Sequence, residues 1–464
     1  MESVCGGNIT VGSNPTLSAK KIIIMFDKTR HLILNINPAK MLFLGYFFYI
    51  LIGWGLLSLP LVQTQAMSSL DTLFTAASAV STTGLVTIDI GTHYNFFGEF
   101  IILMLIQIGG IGFMTFGSFI IISSGNTISE LRKEMGLKSF SLPKDFNISH
   151  FLRWVIIFTL VIEVIGAIFL YLIFSYNHLP IPVWSAIFHS VSAFCTAGFS
   201  LFNNNLEGFA NNTYLNIVIG GLSYLGAIGF IVMADLWHNI SGQRKNLFFT
   251  SKVILKITMW FLIAGVALFY TMEPSIQVLP HWERLLVSFF QVMSASTTVG
   301  FNTIPLGTIS ASIMMFLFIL MTFGASPSGT GGGLKSTTLA ALLGVIRSTL
   351  KGRSSIRFYK REIPQSRIQM ACAAFTYYLG VVFLAMFLLL FIEQARFEAI
   401  LFEVVSALGT VGLSVGLTPA LSHLGKIIVI VLMFMGRVGV LTFGMAISSH
   451  DETREEEADN ELVL

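Results

Sequence analysis

Charge is what this 464-residue chain lacks most: Asp, Glu, Lys and Arg make up 11% of it, against about 25% in a soluble domain. With 54% hydrophobic residues and a mean hydropathy of +0.78, the deficit excludes an ordinary water-soluble globule. Cysteine is equally scarce. Cys5, Cys195 and Cys372 form an odd set without metal-ligand spacing, so neither a disulfide framework nor a zinc site is expected and no role is assigned to them. No P-loop or other nucleotide motif occurs, and no serine nucleophile is paired with a recognisable base motif, although His189 precedes Ser192 by three residues. An enzyme is therefore not expected. The net charge of +3 does not call for a nucleic-acid partner. The apolar run Ile22 to Phe26 is too short for a secretory signal.

Long apolar stretches are abundant. A bilayer core of about 30 Å needs about 20 apolar residues per helix, and such segments start near residues 41, 97, 150, 211, 253, 310, 368 and 424. Basic residues are retained on the cytoplasmic side. Lys20, Lys21, Lys28, Arg30 and Lys40 precede the first segment, and Arg132, Lys133, Lys138 and Lys144 follow the second. Arg244 and Lys245 follow the fourth, and Arg347, Lys351, Arg353, Arg357, Lys360, Arg361 and Arg367 follow the sixth. The alternate loops hold little beyond Arg284 and Arg396. The pattern predicts a multi-pass plasma-membrane protein, surrounded by lipid, with both termini cytoplasmic. Residues 1–37 are expected to be a cytoplasmic tail, with Met25 as an alternative start, and 450–464 an acidic, solvated one.

A repeat runs through the chain. SAVSTTGLV from Ser78, SAFCTAGFS from Ser192, SASTTVGFN from Ser294 and SALGTVGLS from Ser406 share the frame Ser-Ala-x-x-Thr-x-Gly, then Leu or Phe. One copy lies between the members of each apolar pair, on the face with few basic residues. A single copy would read as small-residue helix packing; four in register define repeated units. The boundaries are placed at 38–123, 124–240, 241–348 and 349–449. Each copy follows a stretch too short to span: Asp71 to Val80, Trp184 to Phe194, Trp282 to Ser296 and Phe397 to Leu408. These are expected to be re-entrant helices, because irregular backbone at membrane depth is tolerated only where protein buries it or it lines a watery cavity.

The expected architecture is an all-α membrane protein of eight transmembrane helices plus four re-entrant helices, a fourfold pseudo-repeat around one pore. Half-helices entering the membrane point the negative ends of their dipoles inward, which favours a cation. Backbone carbonyls can replace an ion's hydration shell, and glycine lets consecutive carbonyls turn toward one axis. The expected K+-binding filter comprises Thr82, Thr83, Gly84, Thr196, Ala197, Gly198, Thr298, Val299, Gly300, Thr410, Val411 and Gly412. Leu85, Phe199, Phe301 and Leu413 would brace it. Asp71, Glu283 and Glu398 stand where carboxylates suit a helix N-terminus; His93, His178, His189 and His281 are expected to be ordinary polar positions.

Two further stretches stand out. ASPSGTGGGLKST from Ala325 sets Pro327 and Gly329, Gly331, Gly332 and Gly333 inside the sixth segment, which cannot stay helical there. MGRVGVLTFG from Met435 places Arg437 within the eighth, at a cost of about 2.5–3.5 kcal/mol unless it faces the pore. With the four filter loops, these features make the chain resemble the Trk/Ktr/HKT superfamily of cation-translocating subunits over about Pro38 to Ser449. The resemblance implies a glycine-rich gating loop, with Gly329, Gly331, Gly332, Gly333, Lys335 and Arg437 forming the gate.

Only one apolar segment precedes the first filter loop, so the Ktr-type potassium uptake subunit is the nearer match. Gly84 stands where a serine is associated with sodium-selective plant members. The resemblance further implies a homodimer, a cytosolic ring of nucleotide-binding regulatory subunits, transported K+ and a possible activating Na+. A sodium or mixed Na+/K+ transporter of the same architecture stays open as the alternative. No regulatory domain is expected after Ser449.

Overall fold

The computed structural model describes residues 38–112, 148–242, 246–359 and 361–448. The two tails, the basic stretch from Arg132 to Lys144, and Arg244, Lys245 and Lys360 lie outside the described residues. Four units follow one another, each a long helix, a short buried helix and a second apolar helix. The first holds α1 (Pro38–Leu57), α2 (Ser69–Ser81) and α3 (Phe96–Ile111). The second holds α4 (Ile148–Tyr176), α5 (Pro182–Phe194), α6 (Thr213–Ile228) and α7 (Phe230–Ile240). The third comprises α8 (Phe249–Met272), α9 (His281–Thr297), α10 (Ala311–Phe323) and α11 (Ser336–Leu350), followed by a hairpin of β1 (Arg357–Phe358) and β2 (Arg361–Glu362). The fourth comprises α12 (Gln365–Ile392), α13 (Phe397–Leu408), α14 (His423–Val438) and α15 (Val440–Ile447).

The long first helices α1, α4, α8 and α12 are apolar enough to cross a membrane. They turn large side chains outward, as Ile157, Leu160, Val164 and Ile168 do on α4 and Phe383, Phe387 and Phe391 on α12. Outward apolar faces suit hydrocarbon, because lipid removes the penalty that water would impose on them. The chain is a multi-pass, all-α membrane protein.

The second helices differ from the expectation of eight continuous spans. α3 runs 16 residues and α10 runs 13, while α6–α7 and α14–α15 bend by 99° and 100° at single glycines. Only the sixth segment is expected from its sequence to break. The two bends occur at Gly229 and Gly439, which adopt φ of 100° and 94°, and α3 ends at Gly112 with φ of 91°, values that an α-helix cannot contain. At their other ends the second helices start alike. Asn95, Asn212, Ser310 and Ser422 are N-caps whose side chains accept backbone N–H groups at Phe97 and Gly98, Leu215, Ile313 and Gly425.

The units close into a ring through one contact made four times: the second helix of each unit packs on the short helix of the next. Thus α3 meets α5, α6 meets α9, α10 meets α13, and α14 returns to α2. The closing contact carries an ion pair between Lys426 Nζ and Asp71 Oδ1, 2.6 Å apart. Asp71 also belongs to the start of α2, where Ser68 Oγ accepts from the Asp71 N–H at 3.0 Å and donates to Asp71 Oδ2 at 2.6 Å.

Candidate functional site: a ring of four Thr-x-Gly loops above a glycine-rich loop

The short helices converge, and each ends in its copy of the repeated frame. Thr82, Thr196, Thr298 and Thr410 all take left-handed φ of 52°, 51°, 58° and 49°. Two residues on, Gly84, Gly198, Gly300 and Gly412 take φ of 89°, 65°, 83° and 90°. A left-handed threonine is uncommon because of its branched Cβ, and four at equivalent positions mark backbone held by its surroundings. Local bonds supply part of the hold. The N–H groups of Thr83, Ala197, Val299 and Val411 reach the carbonyls of Ser78, Ser192, Ser294 and Ser406 at 2.8–3.1 Å. The Ser78 and Ser406 hydroxyls accept from the Gly84 and Gly412 N–H groups, both at 3.1 Å.

Between copies the geometry is cyclic. A methyl group on Gly84 would overlap Ala197 O, one on Gly198 would overlap Val299 O, one on Gly300 would overlap Val411 O, and one on Gly412 would overlap Thr83 O. Four carbonyl oxygens therefore abut four glycine Cα atoms around a closed circuit, leaving no space for a Cβ. All twelve residues of the expected filter are in or beside this circuit. Leu85, Phe199, Phe301 and Leu413, the residues that follow the four glycines, are buried.

The loop between α10 and α11 crosses directly under the ring and touches all four threonines. The Thr82 hydroxyl reaches Thr330 O at 3.5 Å, Thr196 Oγ1 lies 3.0 Å from Thr330 Oγ1, and Gly332 N–H donates to Thr410 Oγ1 at 2.8 Å. Thr298 Oγ1 lies against Gly331, where a Cβ would overlap it. Two cations hold the loop. Lys335 Nζ donates to Gly331 O and Gly332 O at 2.7 and 3.3 Å. Arg437 donates to Thr82 Oγ1 at 2.9 Å, to Thr330 O, to Gly109 O, and to Gly110 O at 3.0 Å. The arginine thus ties the first unit, the loop and the fourth unit together. Gly329 abuts Ala227 O and Gly333 abuts the Gly409 backbone, so the loop is also wedged into α6 and the end of α13.

Sequence reasoning missed a second fourfold pattern. Gly109, Gly226, Gly324 and Gly436 abut the carbonyls of Val80, Phe194, Ser296 and Leu408, in each case the residue two before the threonine of the same unit. The signal was present as GGIG, GAIG, GASP and GRVG, in which Arg437 holds the place of Gly110, Ala227 and Ala325. Two buried acids were also missed. Glu163 on α4 accepts from Gln107 Nε2 at 3.0 Å and faces the Cys195 thiol 3.7 Å away, so Cys195 is part of a polar cluster behind the second loop. Glu403 on α13 accepts from Ser414 Oγ at 2.9 Å and from Thr418. Asp71, Glu283 and Glu398 do sit in the first turns of α2, α9 and α13.

Four units ringed around a carbonyl circuit, with two tethered cations beneath it, define a membrane protein built to handle cations, and comparison with known proteins agrees. The TrkH cation transport protein family matches residues 38–454, and the chain belongs to that family of membrane cation transporters. It is 35% identical to the Ktr system potassium uptake protein B of Bacillus subtilis (strain 168), over 92% of this chain and 96% of that protein. Identity to the Ktr system potassium uptake protein B of Vibrio alginolyticus is 32%, over 90% and 92%. Identity to the potassium/sodium uptake protein NtpJ of Enterococcus hirae is 35%, over 88% and 92%. In fold, it is similar to the crystal structure of the potassium transporter TrkH from Vibrio parahaemolyticus, with a TM-score of 0.69, 18% identity and coverage of 87% and 84%.

Proposed function

We propose that the chain is the membrane-spanning subunit of a potassium uptake system, conducting K+ through the ring of Thr-x-Gly loops. The carbonyl–glycine circuit carries this reading. Alternating left-handed threonine and glycine leaves the intervening peptide free to turn its carbonyl inward, which is how a protein replaces the hydration shell of a large monovalent cation. The short helices direct the negative ends of their dipoles to the same place. The names and identities of the Ktr-system relatives support potassium as the ion; that of the E. hirae relative keeps mixed Na+/K+ transport as the second reading.

Under the ring, the loop from Ser328 to Gly333 acts as the gate, and Arg437 and Lys335 act as tethered cations that occupy the path an ion would take. The helix that leaves the loop, α11, packs on α8 and on the hairpin, where Lys256 lies over Tyr359 and Arg361 over Phe249; this basic cluster supports that side as cytoplasmic and the plasma membrane as the location. The membrane potential supplies about 2.3 kcal/mol per charge per 100 mV, enough for roughly 50-fold accumulation of K+. Control then comes from a partner: a homodimer resting on a cytosolic ring of nucleotide-binding subunits, in keeping with relatives named as parts of a Ktr system.

The test is ion uptake by the purified protein in proteoliposomes, with K+ and Na+ compared at equal inward driving force. Preferential K+ uptake is expected. Equal or greater Na+ uptake overturns the choice of ion.

A further inference from the structure

Behind the ring, one position recurs that the transport reading does not use. Three residues before the serine of each repeated frame, the short helices carry Thr75, His189, Gln291 and Glu403. All four are fully buried, and His189, expected to be an ordinary polar position, lies inside α5. In three units the side chain reaches across to a hydroxyl just past the glycine. His189 Nε2 is 3.0 Å from Ser200 Oγ, Gln291 Nε2 donates to Thr303 Oγ1 at 3.1 Å, and Glu403 accepts from Ser414 Oγ at 2.9 Å. The hydroxyls stand two or three residues beyond Gly198, Gly300 and Gly412.

For His189 the direction of the bridge follows from its other contact. His189 Nδ1 lies 2.7 Å from Ser185 O; a carbonyl can only accept, so Nδ1 carries the proton and Nε2 accepts from Ser200. Ser200 Oγ in turn accepts the Phe202 N–H, and Ser414 Oγ accepts the Gly416 N–H, at 3.0 and 3.1 Å. Each hydroxyl therefore pins the backbone leaving the ring to the helix entering it. The His189 ring is also stacked on Phe202 at 4.6 Å. The first unit departs from the rule: Thr75 is too short, and its hydroxyl turns back to Asp71 O at 2.9 Å.

We propose that His189, Gln291 and Glu403 are positioning residues for ion selection, setting the spacing of the carbonyl ring by clamping three of its four loops from behind. The inference rests on the reading of that ring as the ion filter. A clamp matters because discrimination between K+ and Na+ depends on how far carbonyls can follow the smaller ion inward. The three bridges use three different side chains, so the clamp is asymmetric, with Thr75 of the first unit bonded within its own helix instead.

The experiment measures the K+-to-Na+ flux ratio in proteoliposomes for the full-length protein and for Ser200→Ala, Thr303→Val and Ser414→Ala. These partner-side changes remove one bridge each and leave the buried helix residues in place. Each is expected to lower the ratio about three- to tenfold, the range set by one buried hydrogen bond. His189→Leu is expected to match Ser200→Ala, and the double variant to fall no further, as members of one interaction do. His189→Gln, which keeps an acceptor, is expected to restore part of the ratio. Unchanged ratios in all three partner-side variants, with unchanged melting temperature, overturn the clamp while the wild-type preference for K+ still stands. A wild type without that preference instead removes the filter reading, and the clamp with it.

Discussion

At the scale of single residues, the repeated glycines are the positions most tightly determined by their surroundings. Gly300 needs φ of 83° and has Val411 O where a Cβ would go; alanine there meets both strain and a carbonyl that cannot retreat without opening the ring. Gly300→Ala is expected to reduce K+ flux at least about tenfold, corresponding to about 1.4 kcal/mol or more on the barrier to permeation, with little change in expression or helix content. Flux within twofold of wild type would show that the circuit is not the conducting constriction. Asp71 offers a separate test. Burial alone would raise its carboxyl, but hydrogen bonds from Lys426 and Ser68 and the Lys426 charge hold it below the usual carboxylate value. A depressed folded-state value means that the contribution is present above the ordinary carboxylate range, about pH 4, and is lost as pH falls through the lower folded value. Lys426→Met is expected to lower the melting temperature by about 1 °C at pH 7, for about 1 kcal/mol of a partly exposed pair, and to flatten the loss of stability on acidification. Thr82 and Gly84 were legible from sequence because their frame recurs. The partners of Arg437 were not, since Gly109 and Gly110 lie more than 300 residues away in the chain and nothing local announces them.

At the scale of elements, the informative feature is where the second helices stop. Hydropathy reads α14 and α15 as one span because most of their residues are apolar, and a single glycine is tolerated in a helix at about 1 kcal/mol. What ends α14 is tertiary: Gly436 lies against Leu408 O and accepts the Gly333 N–H through its carbonyl at 3.3 Å, so the chain must turn to make room for the loop. The same logic ends α6, where Ser328 O accepts the Phe230 N–H at 3.1 Å. The two breaks separate strain from contact. Gly439 is open on its Cβ side, with nothing nearer than Thr442 at 3.5 Å, whereas a Cβ on Gly229 would overlap Pro327 O. Gly439→Ala is expected to cost about 1–3 kcal/mol through φ alone, read as a lower melting temperature with the regulation of flux unchanged. Gly229→Ala is expected to add a change in basal K+ flux, because it pushes on the loop. Equal flux phenotypes for the two would argue that loop and break are uncoupled.

At the scale of the whole molecule, the arrangement places opposite demands on one axis. On the proposed reading the ring offers carbonyl oxygens to a cation, and immediately beneath it Arg437 and Lys335 present two positive charges whose hydrogen bonds, among the described residues, reach no acidic partner. Cations without a carboxylate partner are costly to keep in a membrane, and here they are met by carbonyls and a hydroxyl drawn from the first unit, the loop and the ring, with the Tyr46 ring centroid 6.0 Å from the Arg437 guanidinium. If the loop is the gate proposed above, neutral acceptors hold it, and a partner subunit can release it without breaking an ion pair. If so, loosening either cation must raise flux in the absence of a partner. Arg437→Gln is expected to increase basal K+ uptake by several-fold, since it removes the charge and most of the links joining the first and fourth units to the loop. Lys335→Met is expected to do so to a smaller extent, because its bonds lie within the loop. In the double variant the increases should not multiply, as both act on one loop. Uptake that falls in Arg437→Gln while the protein stays folded would instead assign the arginine to holding the ring open from below, and the loop would then be a structural wedge.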